Sequence, residues 1–185
     1  MASVRAGKRQ VLVIVDMQKG VVATAEGRDQ VIEGIKTVAQ AARGKNIPLI
    51  WVQHSDEELR IRSPEWELVP ELKMAEGDYR IDKHHNSCFA DTELERILEE
   101  TKATEIVLAG AATNWCIRAT AYGALDRGYD LSLVSDGHTT ESIELDGGRR
   151  IEARDIITEL NIAMTYVNYP GAKNRAVKAQ DCKFD

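Results

Sequence analysis

Three side chains in this sequence have the types and placement for joint chemistry: Asp16, Lys83 and Cys116. Asp16 follows the apolar run VLVIV, Lys83 closes YRIDK, and Cys116 stands in the turn AATNWC just after EIVLAG. An acid, an amine and a thiol are the parts of a nucleophilic acyl-transfer site. The thiol attacks, the carboxylate moves a proton, and the amine stabilises charge. Singly, each has a plainer reading: Asp16 as a cap on loop amides, Lys83 as a solvated charge, Cys116 as a small core residue. Together they stand out, because ligands of open parallel sheets bind outside the carboxyl ends of the strands.

The thiol carries its own expectation. A free cysteine titrates near about 8.5, and a helix N-terminus or a neighbouring cation lowers that to roughly 3.5–7.5. At the start of a helix and near Lys83, Cys116 is expected to favour the thiolate, and first-turn amides can receive an oxyanion. Small residues at 109–112, with Ala119, Ala121, Gly123 and Ala124, allow this helix to sit close to the sheet.

The elements that must position these residues follow from periodicity. Short apolar runs alternate with longer amphipathic stretches, as in a parallel α/β sheet. Strands are predicted over 10–15, 49–53, 79–83, 105–111, 130–135 and 164–169. Helices are predicted over 28–44, with Val31, Ile35, Val38, Ala39 and Ala42 on one face, and from an N-cap at Asp91 to Lys102, with Leu94, Ile97 and Leu98 inward. Two more cover 116–127 and 149–163. The predicted architecture is α/β: one domain, 1–185, in a three-layer α/β/α fold with a six-stranded, mainly parallel Rossmann-like sheet. The irregular stretch 54–78 reads as functional or lid-like, and with the polar loop 136–148 it is the expected seat of specificity.

The totals exclude several classes. A net charge of -6 over 185 residues, with no basic run, argues against a nucleic-acid partner. VLVIV is too short for a membrane span and no signal-peptide cleavage region follows the N-terminus, so a cytoplasmic protein is expected. Cys88, Cys116 and Cys182 form no C-x-x-C pair and no disulfide framework. A nucleotide- or flavin-binding Rossmann-type module is the alternative from another class. Against it, β-strand one is followed by DMQKGVV rather than a G-x-G-x-x-G phosphate cradle.

From VLVIVDMQKG through DKHHNSCFADTEL to GAATNWCIRATAYGALDRGYDLSLVSDGHTT, the chain resembles the isochorismatase-like cysteine hydrolases. The resemblance implies a catalytic triad of Asp16, Lys83 and Cys116, a cis peptide at Ala111–Ala112, and an oxyanion hole from the backbone amides of Ala112 and Cys116. It also implies a homodimer or higher homo-oligomer. Isochorismatases proper lack the cysteine, so Cys116 points toward C–N bond hydrolysis. Nicotinamidases carry a metal-binding Asp-x-His motif where this chain has His54 and Asp56 in WVQHSDEELRIRS. These two fall short of three metal ligands, and the adjacent His84 and His85 add one at most, so no metal and no other cofactor is expected.

The resulting reading is a hydrolase of carbon–nitrogen bonds other than peptide bonds. It would cleave an amide, carbamoyl or ureido bond of a small molecule through an acyl-enzyme on Cys116, with Asp16 as general base and Lys83 as electrostatic partner. A catalytically silent relative acting as an interaction subunit is the other alternative. Candidate substrate-binding residues are Gln18, Gln53, His54, Trp66, His85, Phe89 and Trp115, although core or subunit packing explains the aromatic ones as well. Cys88 reads as structural and Cys182 as exposed or interfacial. His138 can reach the active face or a neighbouring subunit, and the sequence leaves that open.

Overall fold

The computed structural model describes residues 8–185. Residues 1–7, read above as the start of the domain and as lacking a signal sequence, lie outside the described residues. Strand β1 (Gln10–Val15) is buried along its whole length, as befits a strand apolar on both faces. Then follow α1 (Arg28–Gly44), β2 (Leu49–His54), β3 (Tyr79–Lys83), α2 (Leu94–Glu100), β4 (Glu105–Ala111), α3 (Arg118–Asp126) and β5 (Asp130–Thr139). A small antiparallel hairpin, β6 (Ile143–Glu144) and β7 (Arg150–Ile151), precedes α4 (Ala153–Tyr166) and β8 (Asn174–Val177).

The main sheet has the order β3-β2-β1-β4-β5-β8, and every pairing in it is parallel. The chain runs outward from β1 to one edge through β2 and β3, then returns to build the other side from β4. The strand order therefore reverses between β1 and β4, the place where such sheets open a crevice. One face buries Leu12, Ile14, Trp51, Val107 and Ala109 against the apolar stripe of α1. The other packs Val11, Val13, Val15, Ile81, Ile106 and Leu108 against Leu94, Ile97 and Leu98 of α2, Ala121, Ala124 and Leu125 of α3, and Leu160 and Met164 of α4. Among the described residues no helix is long and apolar enough to cross a membrane.

Four expectations need correction. The run 164–169 is not the last strand. Met164 continues the buried stripe of Ile156 and Leu160, so α4 runs on through Tyr166, and Asn174 Nδ2 closes its end on the carbonyls of Met164 and Val167. The sixth strand is β8. The same helix begins at Ala153 rather than 149, because residues 150–151 pair in the hairpin. Asp91 does not cap α2: it adopts φ 54 in the preceding loop, and Thr92 Oγ1 accepts the Leu94 amide at 3.2 Å instead. Finally, 54–78 is no free lid. Lys19 and Gly20 donate to the Glu67 and Glu65 carbonyls, Val69 donates to Met17, and Leu59, Trp66, Val69 and Leu72 are buried.

Candidate active site

Three strand ends converge at the crevice. At the end of β1, Asp16 has φ 50, a left-handed conformation uncommon for any residue but glycine and several-fold enriched in aspartate. Its amide donates to the Val52 carbonyl of β2 at 2.8 Å. Lys83, the last residue of β3, shares the face of Ile81 because strand side chains alternate. At the end of β4, Gly110 has φ 124, and a Cβ there would lie 2.0 Å from the Val15 carbonyl oxygen. Only glycine lets β4 run that close to β1.

Beyond Gly110 the Ala111–Ala112 peptide is cis. Thr113–Ile117 then forms a single π-helical turn leading into α3. The amides of Trp115 and Ile117 both donate to the Ala112 carbonyl, each at 3.1 Å. Cys116 sits inside this turn and is 8% exposed.

Lys83 joins the site together. Its Nζ lies 2.7 Å from Asp16 Oδ2, 3.2 Å from Cys116 Sγ and 3.3 Å from His54 Nδ1. An ammonium has three hydrogens, and three acceptors surround this one. His54 Nδ1 must then be an acceptor, so the ring hydrogen sits on Nε2, 3.2 Å from Asp56 Oδ2. Asp16 Oδ1 is buried and has no hydrogen-bond partner among the described residues. It is the oxygen available to take a proton.

The electrostatics correct the expected thiolate. Burial pushes the Cys116 thiol up to about 12; the Asp16 carboxylate adds to this and Lys83 opposes it. The resting group is therefore the thiol. Burial also raises Asp16 above the ordinary carboxylate range, with Lys83 pulling the other way. A raised carboxylate is a stronger base, which suits a thiol that must lose its proton at the moment of attack. For Lys83 burial works downward, but Asp16 and Cys116 outweigh it and hold the ammonium above its usual value. The sequence displays these neighbours but not how dry they are.

Of the predicted binding residues, His54 is brought up against Lys83, with its Nδ1 3.3 Å from the ammonium. Gln18 is fully buried: Nε2 donates to the carbonyls of His54 and Trp66, and Oε1 accepts the His54 amide. It fastens β1 to the 54–78 segment rather than offering polar atoms to a ligand. Gln53 likewise donates to the Trp66 carbonyl at 3.0 Å. Trp66 packs under the Arg80 guanidinium, 4.6 Å from its ring centroid, on the side of β3 opposite Lys83. Phe89 is core: it stacks on Tyr129 and lies beneath Arg127. His85 is exposed on the loop after β3, and Trp115, next to Cys116 in sequence, is 57% exposed.

Asn86 escaped sequence reading, with Oδ1 4.0 Å from Cys116 Sγ. Its position three residues past Lys83 is the only sequence signal. His84 turns to Ser55, with Nδ1 2.9 Å from the carbonyl and 3.2 Å from Oγ. Among the described residues no three His, Cys, Asp or Glu side chains converge where they can hold a metal ion. Cys88 is fully buried, and Cys182 is half-buried against the α1-side core rather than exposed.

The chain and its fold have known counterparts. The secreted isochorismatase effector Isc1 of Verticillium dahliae is 33% identical over 139 residues, covering 68% of this chain and 70% of that one. Streptothricin hydrolase of Streptomyces noursei is 29% identical over 140 residues, 72% of this chain but only 56% of its own length. The crystal structure of an isochorismatase from Pseudomonas putida KT2440 superposes with a TM-score of 0.82 at 25% identity, covering 94% of this chain and 90% of that one. Residues 10–146 match the isochorismatase domain as a family, a span that takes in all three strand ends, and the chain belongs to the isochorismatase family.

Proposed function

We propose that this member is a cofactor-independent cysteine hydrolase that cleaves a C–N bond of a small amide, carbamoyl or ureido compound. The observation that carries the reading is the single ammonium of Lys83 touching both Asp16 Oδ2 and Cys116 Sγ in a buried site. The relative named streptothricin hydrolase supports a hydrolytic member with a substrate other than isochorismate.

In this reading Asp16 Oδ1 takes the Cys116 proton as sulfur bonds to the substrate carbonyl carbon. The carbonyl oxygen becomes an oxyanion, received by the amides of Ala112 and Cys116, and Lys83 balances the added charge. Asp16 then returns its proton to the departing nitrogen, the C–N bond breaks, and a thioester remains on Cys116. Water adds to the thioester carbonyl, giving its proton to Asp16. Collapse releases the carboxylic or carbamic acid, and the proton returns to sulfur. His54 on Lys83, Asn86 near Sγ and exposed Trp115 are the side chains available to a substrate at this end of the sheet.

The compartment and assembly belong to the same proposal. All three thiols are free, as suits the reducing cytoplasm. Trp115, Ile162 and Tyr166, 57%, 55% and 79% exposed, offer apolar surface for a homodimer or larger homo-oligomer. Light scattering that returned a monomer mass would overturn that part.

The test is amine or ammonia release from a panel of nicotinamide, carbamoyl amino acids, biuret-like ureides and lactams. Turnover is expected in the wild type and lost in a folded Cys116→Ala variant, with an acyl mass added to the Cys116 peptide on rapid quenching. Full activity in Cys116→Ala would defeat the mechanism.

A further inference from the structure

Segment DGHT, residues 136–139, read from sequence as part of a polar loop, belongs to β5 and lies beside the nucleophile turn. Leu133 pairs with Leu108 of β4, yet the next pairing is His138 with Gly110. Residues 134–137 of β5 thus oppose Ala109 alone, a wide bulge. Bulges re-aim the side chains beyond them, and here the re-aimed residue is His138, 1% exposed.

Its Nδ1 lies 2.9 Å from Thr113 Oγ1 and its Nε2 lies 3.0 Å from Asn161 Oδ1 of α4. Asn161 Nδ2 donates to the Ser135 carbonyl, within the bulge, at 3.0 Å. With its amide nitrogen so engaged, Asn161 presents oxygen to the imidazole. His138 Nε2 therefore carries the hydrogen, and Nδ1 accepts from the Thr113 hydroxyl. Burial pushes His138 down to about 4, outweighing Asn161 and Asp136, so the ring is neutral.

Thr113 is fully buried and is the first residue of the π-helical turn that holds Cys116. Next to it, Asn114 Oδ1 accepts the Thr140 hydroxyl at 2.6 Å. The end of β5 thus grips two successive residues of the nucleophile turn, and α4 braces the grip through Asn161. Filling this space needs only volume, whereas a neutral imidazole with both nitrogens engaged also fixes direction.

We infer that His138 is a positioning residue: through Thr113 it holds the nucleophile turn so that Cys116 keeps its place against Lys83 and Asp16. The inference rests on Cys116 being the nucleophile, and it is read without any substrate. The experiment measures iodoacetamide alkylation of the Cys116 peptide by mass spectrometry at one pH, with the Cys182 peptide as internal reference. Variants are His138→Leu, Thr113→Val, the double variant, and His138→Asn, whose Oδ1 can replace Nδ1 as acceptor.

His138→Leu and Thr113→Val are each expected to change the Cys116 alkylation rate and lower kcat by about tenfold or more, since small misplacements of reacting groups cost up to about 10²-fold. KM should hold, the double variant should do no more than either single one, and His138→Asn should recover most of the loss. A Thr113→Val protein with wild-type alkylation and turnover overturns the inference, as does a double variant whose losses multiply. If His138→Leu fails to fold, Thr113→Val decides alone. Altered alkylation in a protein that hydrolyses no amide sinks the hydrolase and keeps the positioning role.

Discussion

Cys88 and Cys116 lie in the same core, on the same side of the sheet, and burial pushes both thiols up to about 12. Both feel the repulsion of Asp16 and the attraction of Lys83. The difference is in contacts. Cys116 Sγ receives Lys83 Nζ at 3.2 Å and retains some access, whereas Cys88 has none. The Cys88 amide donates to Thr120 Oγ1 at 3.0 Å and its carbonyl accepts from Thr92, and the polar neighbour of its thiol is the Thr120 side chain rather than a cation. A perturbed thiol therefore does not mark a nucleophile. What sets Cys116 apart is a cation on its sulfur and the exposure it keeps.

The largest effects should fall on that contact set. Asp16→Asn removes the base and should lower kcat by about 10²–10⁴. Lys83→Met removes the cation and should cost about 10²–10³ in kcat, the scale of losing one charge-stabilising donor. Lys83→Met also strands Asp16, and breaking a buried pair costs about 3–5 kcal/mol, so melting must be followed alongside turnover. Cys88→Ala should stay within a few-fold of wild type. If folded Cys88→Ala lost turnover as Cys116→Ala is expected to, the contrast between the two thiols would collapse.

A smaller effect, in pH, sharpens the same contrast. As the proposed base, Asp16 would have to be deprotonated, and its folded value is raised by burial above the ordinary 3.8. The acid limb of kcat/KM should therefore lie above the ordinary carboxylate range, with activity falling as pH drops through the raised value. Lys83 stays charged past 10.5 and sets no limb below it. For stability the sign is opposite. A carboxylate raised in the folded state contributes stability below its unfolded value and loses it as pH rises through the folded one. Asp16→Asn should remove that decline from a pH series of urea midpoints. An acid limb at or below 3.8 would show that burial does not tune this base.

The convergence of Asp16, Lys83 and Cys116 was legible because it depends on strand ends, and buried parallel strands announce themselves as continuous apolar runs. β8 was not, because NRAV is a half-exposed edge strand while MTYVNY extends the apolar stripe of α4. The continuation of β5 was hidden by Asp136-Gly137, which reads as a turn and is in fact part of the bulge. His138 was hidden with it. The structural contacts of Gln18, Trp66 and Phe89 were illegible for a related reason. Their partners (the His54 and Trp66 carbonyls, Arg80, Arg127) lie far along the chain, and no local spacing encodes such contacts. The thiol's direction failed because a sequence shows which charges are near but not how little water is.

The smallest expected effect concerns Cys88 itself. If it is only a packed sulfur, Cys88→Ala should lower unfolding free energy by about 1 kcal/mol, the loss of roughly one methylene's worth of buried surface and contact. Cys88→Ser keeps the shape but buries a hydroxyl beside Thr120, whose Oγ1 already accepts the Cys88 amide, and a hydroxyl left unsatisfied costs about 1–3 kcal/mol. Serine should thus be no better than alanine, with turnover near wild type in both. Urea denaturation of the two variants decides it. A serine variant more stable than the alanine one would mean that the Thr120 contact outweighs packing at this position, and that the Cys88 side chain is held as a polar group rather than as a packed sulfur.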